Sequence, residues 1–324
     1  MSGGTSLKRS GVPRLTLTGI ASITCMLLAS CAGSAPGAER KPLSIDESSL
    51  AQAQAPVSQR SGPEISRVPY PVAGNGDPSQ NWGDLYLPAG VHKAGSVPLV
   101  VLIHGGAWHR SIGAGDFSYF AQDIVGRGVA VYNIEYRRVG SGGGWPTTFT
   151  DVASALGHIP DIVDQTPELS GKTEVVGHSA GAQLATWAGS QTAHPEHQLG
   201  KYASFKPDRI VALSGPLDMT NATNFSDLDM VNAVGGTPLT ATSRYEDVDP
   251  IQNIDPGVPV VAVHGTADTT VSWQNSQRYI QALLQAGGNG RLDLLYGDTH
   301  GSLITSGTAH YQHVMETITD SLLD

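Results

Sequence analysis

Ser179 stands in Gly177-His178-Ser179-Ala180-Gly181, the G-x-S-x-G spacing of a nucleophile held on a sharp turn. A serine between a strand and a helix there takes strained backbone angles, and side chains at the flanking glycines would collide with strand or helix. The apolar run Thr173-Glu174-Val175-Val176 precedes it and a helix-forming stretch, Gln183 to Gly189, follows, which is the context the pattern needs. A hydroxyl is a poor nucleophile until a base takes its proton, so a histidine and an orienting carboxylate must exist elsewhere. Asp268 closes Val260-Val261-Ala262-Val263-His264-Gly265-Thr266-Ala267-Asp268, and His300 lies in Leu294-Leu295-Tyr296-Gly297-Asp298-Thr299-His300-Gly301. The expected roles are Ser179 as nucleophile, His300 as general base then acid, and Asp268 as the group fixing the imidazole tautomer. Asp218 also follows a strand-like run and is the rival acid. Asp298 is too near His300 in sequence to be its partner and is expected to cap or solvate the loop. His178 and His264 are expected to pack or hydrogen-bond locally.

Such a set performs acyl transfer, which needs hydrogen-bond donors aimed at a developing oxyanion. His104-Gly105-Gly106-Ala107-Trp108 offers the N–H groups of Gly105 and Gly106 with no side chain in the way, and the N–H of Ala180 would complete the hole. Each donor can contribute about 3 kcal/mol to transition-state stabilisation. Trp108, Trp145 and Trp273 are expected near the mouth, where they would line an apolar or aromatic pocket. Gly142-Gly143-Gly144 suggests a mobile rim.

These residues must be carried by an alternation of strands and helices. Ile65 to Val72 and Trp82 to Leu87 read as an antiparallel pair opening a sheet. Pro98 to Ile103 is a continuous apolar run, as in a parallel strand covered on both faces. Helices are predicted at Asp116–Arg127, Phe149–Ile162, Trp273–Gln285 and Ser302–Leu323, and strands at Val129–Ile134, Ile210–Leu213, Val258–Val263 and Leu292–Leu295. The rhythm indicates an α/β class with a mostly parallel, doubly wound sheet and helices on both faces. The stretch 218–249 breaks it and is expected to form a small lid or an elaborated loop.

The set of HGGAW at 104–108, Glu135-Tyr136-Arg137, Pro146 with Asp151, GHSAG at 177–181, Ser214-Gly215-x-x-Asp218, HGTAD at 264–268 and His300 resembles the α/β-hydrolase esterases. It is most similar to the hormone-sensitive-lipase-like, feruloyl-esterase-like and kynurenine-formamidase-like groups. The resemblance covers about Ile65 to Asp324. It implies the α/β-hydrolase fold, a serine hydrolase cleaving carboxylic esters through an acyl-enzyme, a small-molecule ester substrate, and scaffold roles for Tyr136 and Arg137. Ala107 stands where many members have a third glycine. Amide hydrolysis uses the same triad and stays open, as does a surface binding module that kept the fold without the chemistry.

The chain has 324 residues, enough for one large domain or two small ones. Lys and Arg number 19 against 29 Asp and Glu, a net charge of −10, which argues against a nucleic-acid partner. Both cysteines, Cys25 and Cys31, fall near the N-terminus, so the body is expected to hold no disulfide and no cysteine metal site. His310 with His313, and His194 with His197, lack a third ligand, so no metal and no cofactor are expected. Lys8, Arg9 and Arg14 precede an apolar run from Leu15 to Leu28, the pattern of an export signal. Leu28-Ala29-Ser30-Cys31 resembles the bacterial lipobox, which implies cleavage before Cys31, lipidation of its thiol and a cell-envelope protein held at the membrane. The expected organisation is therefore a signal at 1–30, a flexible tether at 31–62 and a catalytic domain at 63–324. The number of subunits is not legible in the sequence.

Overall fold

The computed structural model describes residues 56–193, 199, 205–222 and 228–323. The expected signal, lipobox and Cys31, as well as His194 and His197, lie outside them. In chain order the strands and helices are β1 (Pro56–Arg60), β2 (Glu64–Pro69), β3 (Trp82–Leu87), β4 (Gly90–Lys93), β5 (Val97–Ile103), α1 (Ser118–Val125), β6 (Ala130–Ile134), α2 (Thr147–Gly157), α3 (Ile159–Gln165), β7 (Leu169–His178), α4 (Ala180–Gly189), β8 (Arg209–Leu213), α5 (Met219–Ala222), α6 (Leu228–Val234), α7 (Thr242–Val248), β9 (Val260–Gly265), α8 (Gln274–Gln285), β10 (Gly290–Leu295) and α9 (Tyr311–Leu323). Eight strands form one sheet in the order β10-β9-β8-β7-β5-β6-β3-β2. Only β2–β3 and β3–β6 pair antiparallel; the other five pairings are parallel.

The unalternating run of β5 has a direct physical explanation in the two cores. Leu99, Val101 and Ile103 enter the core on one face of the sheet, and Val100 and Leu102 the core on the other. The same split recurs at Ile210 and Ala212 against Val211 and Leu213, and at Val260 and Ala262 against Val261 and Val263. Helices α2, α4 and α8 cover the first face, through residues such as Phe149, Trp187 and Leu283. Helices α1 and α9 cover the second, through Phe120, Ile124, Val314 and Ile318. A side-chain period of two thus becomes a strand that is apolar on both sides. The molecule has the α/β-hydrolase arrangement, with the chain leaving β5 for β6 on one side and returning to β7 on the other. Ligand sites in such sheets lie beyond the carboxyl edge at that reversal.

Several boundaries differ from the sequence reading. Part of the expected tether, Pro56–Arg60, is a strand: β1 pairs antiparallel with β4, and Arg60 forms ion pairs with Glu64 and with Glu168 just before β7's first residue. The helix predicted over Phe149–Ile162 is two helices meeting at His158, because Pro160 lacks the N–H needed to continue α2 and suits the first turn of α3 instead. The helix predicted over Ser302–Leu323 has a single 3-10 turn at Ser302–Ile304 before α9, with Gly307 at φ +86° between them. Asp116–Arg127 likewise starts as a 3-10 turn, Ala114–Phe117, before α1. The described part of 218–249 is three short helices, α5 to α7. They bury Met219, Met230, Ala233, Val234, Tyr245 and Val248 in the core.

Candidate active site

Four loops that leave the carboxyl edge of the sheet, after β5, β7, β9 and β10, build the site, with β8 between β7 and β9. Ser179 follows β7 directly, with φ +56° and ψ −123°, backbone angles that L-residues rarely adopt. The glycines around it are required by backbone contact. A Cβ on Gly177 would stand 2.1 Å from the carbonyl oxygen of Gly181, and one on Gly181 would stand 2.1 Å from that of Ile103. The turn is held from the neighbouring strand by Ser179 N–H donating to Leu213 O at 2.8 Å. Ala180 opens α4, so its N–H has no intrahelical acceptor and lies at the positive end of the helix.

The three residues singled out for acyl transfer are brought into one hydrogen-bonded chain. His300 Nε2 lies 2.8 Å from Ser179 Oγ, and His300 Nδ1 lies 2.8 Å from Asp268 Oδ2. Asp268 is buried, and its Oδ1 accepts from the N–H groups of Thr270 and Val271 at 2.8 and 2.9 Å. His264 Nε2 stands 3.3 Å from Asp268 Oδ2 and 2.9 Å from Val271 O, while its Nδ1 meets Ser276 Oγ at 2.7 Å. Burial works to raise the Asp268 carboxyl, but the hydrogen bonds from His264 and His300 outweigh it and hold the group well below the usual carboxylate range. The group is therefore an anion wherever the protein is folded near neutrality.

The rival carboxylates point elsewhere. Asp218 is engaged by Asn221 and by Arg278. Asp298 accepts from Ser302 Oγ at 2.7 Å and pairs with His310, pinning the loop that carries His300. His313 lies 3.4 Å from Asp293, and among the described residues no group of three or more His, Cys, Asp or Glu side chains is placed to hold a metal ion.

The loop after β5 lies against the turn. A Cβ on Gly105 would come within 2.7 Å of His178 O and 3.1 Å of Ser179 Cβ. Gly106, Ala107 and Trp108 all have positive φ, at 104°, 54° and 54°. Ala107 thus adopts a left-handed conformation that glycine takes without steric cost. Behind this loop, His104 stacks on Tyr136 at 4.3 Å and bonds Glu135, and the Tyr136 hydroxyl donates to His104 O at 2.9 Å. Arg137 is bound to the buried carboxylate of Asp151. Trp145-Pro146 is a cis peptide.

A cavity of about 480 Å³ opens over Ser179 and His300, with apolar walls from Gly106, Ala107, Ile112, Phe117 and Ile304. A second, of about 740 Å³, adjoins it and shares Ala107, Asp229 and Thr270; Asn221, Ser272, Gln274 and Arg278 give it a polar wall. No tryptophan lines either one, which corrects the expected pocket role of Trp108, Trp145 and Trp273. The Trp108 indole is instead buried, 2% exposed, and donates to Gln183 Oε1 at 3.1 Å. Trp145 packs on Phe149 and beneath the Arg244 guanidinium, and Trp273 stands at the residue before α8 without a side-chain cap bond. The aliphatic and phenyl walls had no sequence signal, since Ile112, Phe117 and Ile304 sit in irregular or 3-10 segments.

A serine on a strand–turn–helix elbow, with a histidine and a carboxylate from later loops of a mostly parallel sheet, defines an α/β-hydrolase. Residues 84–283 match the BD-FAE family, more than half of the chain, and the chain belongs to that family. It is similar, at 25% identity over 241 residues, to the isoprenylcysteine alpha-carbonyl methylesterase ICME of Arabidopsis thaliana, covering 70% of this chain and 55% of that protein. The chain spans about half the length of the curated relatives it matches. Among solved structures, a truncated carbohydrate esterase from gut microbiota superposes with TM-score 0.66 at 20% identity, covering 79% of this chain and 94% of that one. Esterase B from Lactobacillus rhamnosis, inhibited by a tributyrin phosphonate, gives TM-score 0.66 at 14% identity, covering 85% and 89%. These likenesses extend the α/β-hydrolase fold to esterases of diverse sequence.

Proposed function

We propose that this protein is a serine hydrolase of carboxylic esters, working through Ser179, His300 and Asp268 by way of an acyl-enzyme. The observation that carries the reading is the continuous chain Ser179 Oγ–His300–Asp268, each link 2.8 Å long, at the mouth of an apolar cavity. In this reading His300 Nε2 takes the Ser179 proton as Oγ attacks the ester carbonyl. The resulting imidazolium is stabilised by the Asp268 anion. The oxyanion is met by N–H groups of Gly105, Gly106 and Ala180, whose loops lie against each other. His300 then gives its proton to the departing alkoxide, and water, activated by the same imidazole, releases the acid and restores Ser179. The acyl group faces the apolar cavity. The polar wall of the adjoining cavity suits a hydroxyl-bearing alcohol portion, in keeping with a structural neighbour described as a carbohydrate esterase.

The test is labelling with a fluorophosphonate probe beside turnover of p-nitrophenyl and aryl esters, with matched amides included. Stoichiometric labelling and ester turnover, both lost in Ser179→Ala, are expected. Absence of labelling would favour a binding module, and faster turnover of amides than of matched esters would overturn the ester assignment.

We further infer export and lipid anchorage at Cys31, supported by the basic residues before Leu15–Leu28 and by Leu28-Ala29-Ser30-Cys31. Cys31→Ala is expected to abolish radiolabelled palmitate incorporation and move the protein from the membrane to the soluble fraction. Unchanged incorporation would remove the lipobox reading.

A further inference from the structure

His178 precedes the nucleophile, and a residue there has no necessary part in acyl transfer. Its position nevertheless joins two loops. The ring is buried, 5% exposed, and is flanked by Phe117 at 5.9 Å and by the imidazole of His300 at 4.8 Å between centroids. Its Nε2 lies 2.8 Å from the main-chain oxygen of His300. A carbonyl can only accept, so Nε2 carries the proton and Nδ1 is bare in the neutral ring. That agrees with Nδ1 being buried without a hydrogen-bond partner among the described residues. The segment so tied needs fastening, because Tyr296, Gly297, Thr299 and Gly301 are all exposed and Gly297 has φ +82°. Asp298 anchors it on one side, through Ser302, His310 and the Ala267 N–H that donates to its carbonyl at 2.9 Å. The bond from His178 reaches His300 itself.

We propose that His178 is a positioning residue: its Nε2–H, given to the carbonyl of His300, fixes that peptide so that the imidazole stays aligned between Asp268 Oδ2 and Ser179 Oγ. The elbow that presents the nucleophile thereby also sets the place of the base. Backbone and ring of His300 are held at three points, two through its imidazole and one through its carbonyl, and loss of the third leaves the His300 peptide, between exposed Thr299 and Gly301, free to tilt while Asp298 stays anchored. The burial of His178, with the His300 ring beside it, pushes its imidazole down to about 3, so the ring stays a neutral donor through the neutral range. The inference rests on His300 being the base.

The experiment compares wild type, His178→Leu and His178→Gln in steady-state turnover of p-nitrophenyl acetate and in the rate of fluorophosphonate labelling. His178→Leu fills the space without a donor and is expected to lower kcat by about 10- to 100-fold, the scale of a roughly 1 Å misplacement of a reacting group, with KM changed less than about threefold. His178→Gln keeps a side-chain N–H and is expected to recover at least about tenfold of a hundredfold loss, or most of a tenfold one. Labelling rates should follow kcat. A His178→Leu enzyme with kcat within about threefold of wild type overturns the proposal, as does a rise in KM alone or a His178→Gln variant no faster than His178→Leu. If His178→Leu does not fold, His178→Met takes its place as the donor-free variant. A wild type that neither labels nor turns over esters refutes the hydrolase reading and this inference together; normal wild-type turnover with unaffected variants refutes only the inference.

Discussion

Replacing Asp268 by Asn changes one atom and, on the geometry here, reverses the hydrogen-bond polarity of the whole relay. Oδ1 accepts from two backbone N–H groups, of Thr270 and Val271, at 2.8 and 2.9 Å. An amide NH2 there would face two donors, so the Asn oxygen takes that place and its NH2 turns toward His300 Nδ1, now 2.8 Å from a carboxylate oxygen. Only a bare Nδ1 can accept from it. The His300 proton is then driven to Nε2, which points at Ser179 Oγ and can no longer remove its hydrogen. The new NH2 also confronts His264 Nε2, 3.3 Å from the same position. Loss of the correct tautomer costs about 10³- to 10⁴-fold, or about 4–5.5 kcal/mol of transition-state stabilisation at 1.4 kcal/mol per decade. The assay is kcat/KM for p-nitrophenyl acetate, with urea melts to verify the fold and Asp298→Asn as the matched control. Asp298 touches Ser302 and His310 rather than the base's imidazole, so its amide should lose less than about tenfold. A folded Asp268→Asn enzyme within tenfold of wild type would refute the tautomer argument, and the control losing as much would place the orienting carboxylate wrongly.

Gly177→Ala would force a Cβ to 2.1 Å from a backbone oxygen of α4, which no side-chain rotation relieves, so a loss of about 3 kcal/mol or more is expected in chemical denaturation; an unchanged midpoint would contradict the elbow's geometry. Trp108→Phe strands the buried Gln183 Oε1 without its indole donor and should cost about 1–3 kcal/mol of stability while leaving the acyl-chain preference as in wild type; a shifted preference would return Trp108 to the pocket wall. His178 is held near 3 by burial and by its His300 neighbour, against about 6.5 in an unfolded chain, so between those values the unfolded state binds the extra proton and stability falls as pH falls. Urea melts at pH 6.5 and 5 should therefore show an acid loss up to about 2 kcal/mol smaller in His178→Gln than in wild type; parallel losses would mean that the ring is not kept neutral by the fold.

Short-range and periodic physics made the strand framework and the elbow readable along the chain. The unbroken apolar run of β5 required cover on both faces, and the fold follows from that pattern repeated. The glycines at 177 and 181 had to be glycines because backbone passes within 2.1 Å of where a Cβ would be, and that demand is visible in five letters. The order Ser179, Asp268, His300 along the chain was also legible, because each residue ends a strand or follows one. Tertiary structure decided everything that depends on where a side chain turns or which distant atom it meets. Trp108 leaves the pocket because its indole meets Gln183, 75 residues on, a partner that no local pattern announces. The tether's end became a strand because Gly90–Lys93, some thirty residues on, offered it a partner. His178 reads as filler in the chain. It becomes a fastening only when β10's loop, 122 residues downstream, sets a carbonyl 2.8 Å from its ring, since hydrogen bonding at that range is a property of position and not of sequence.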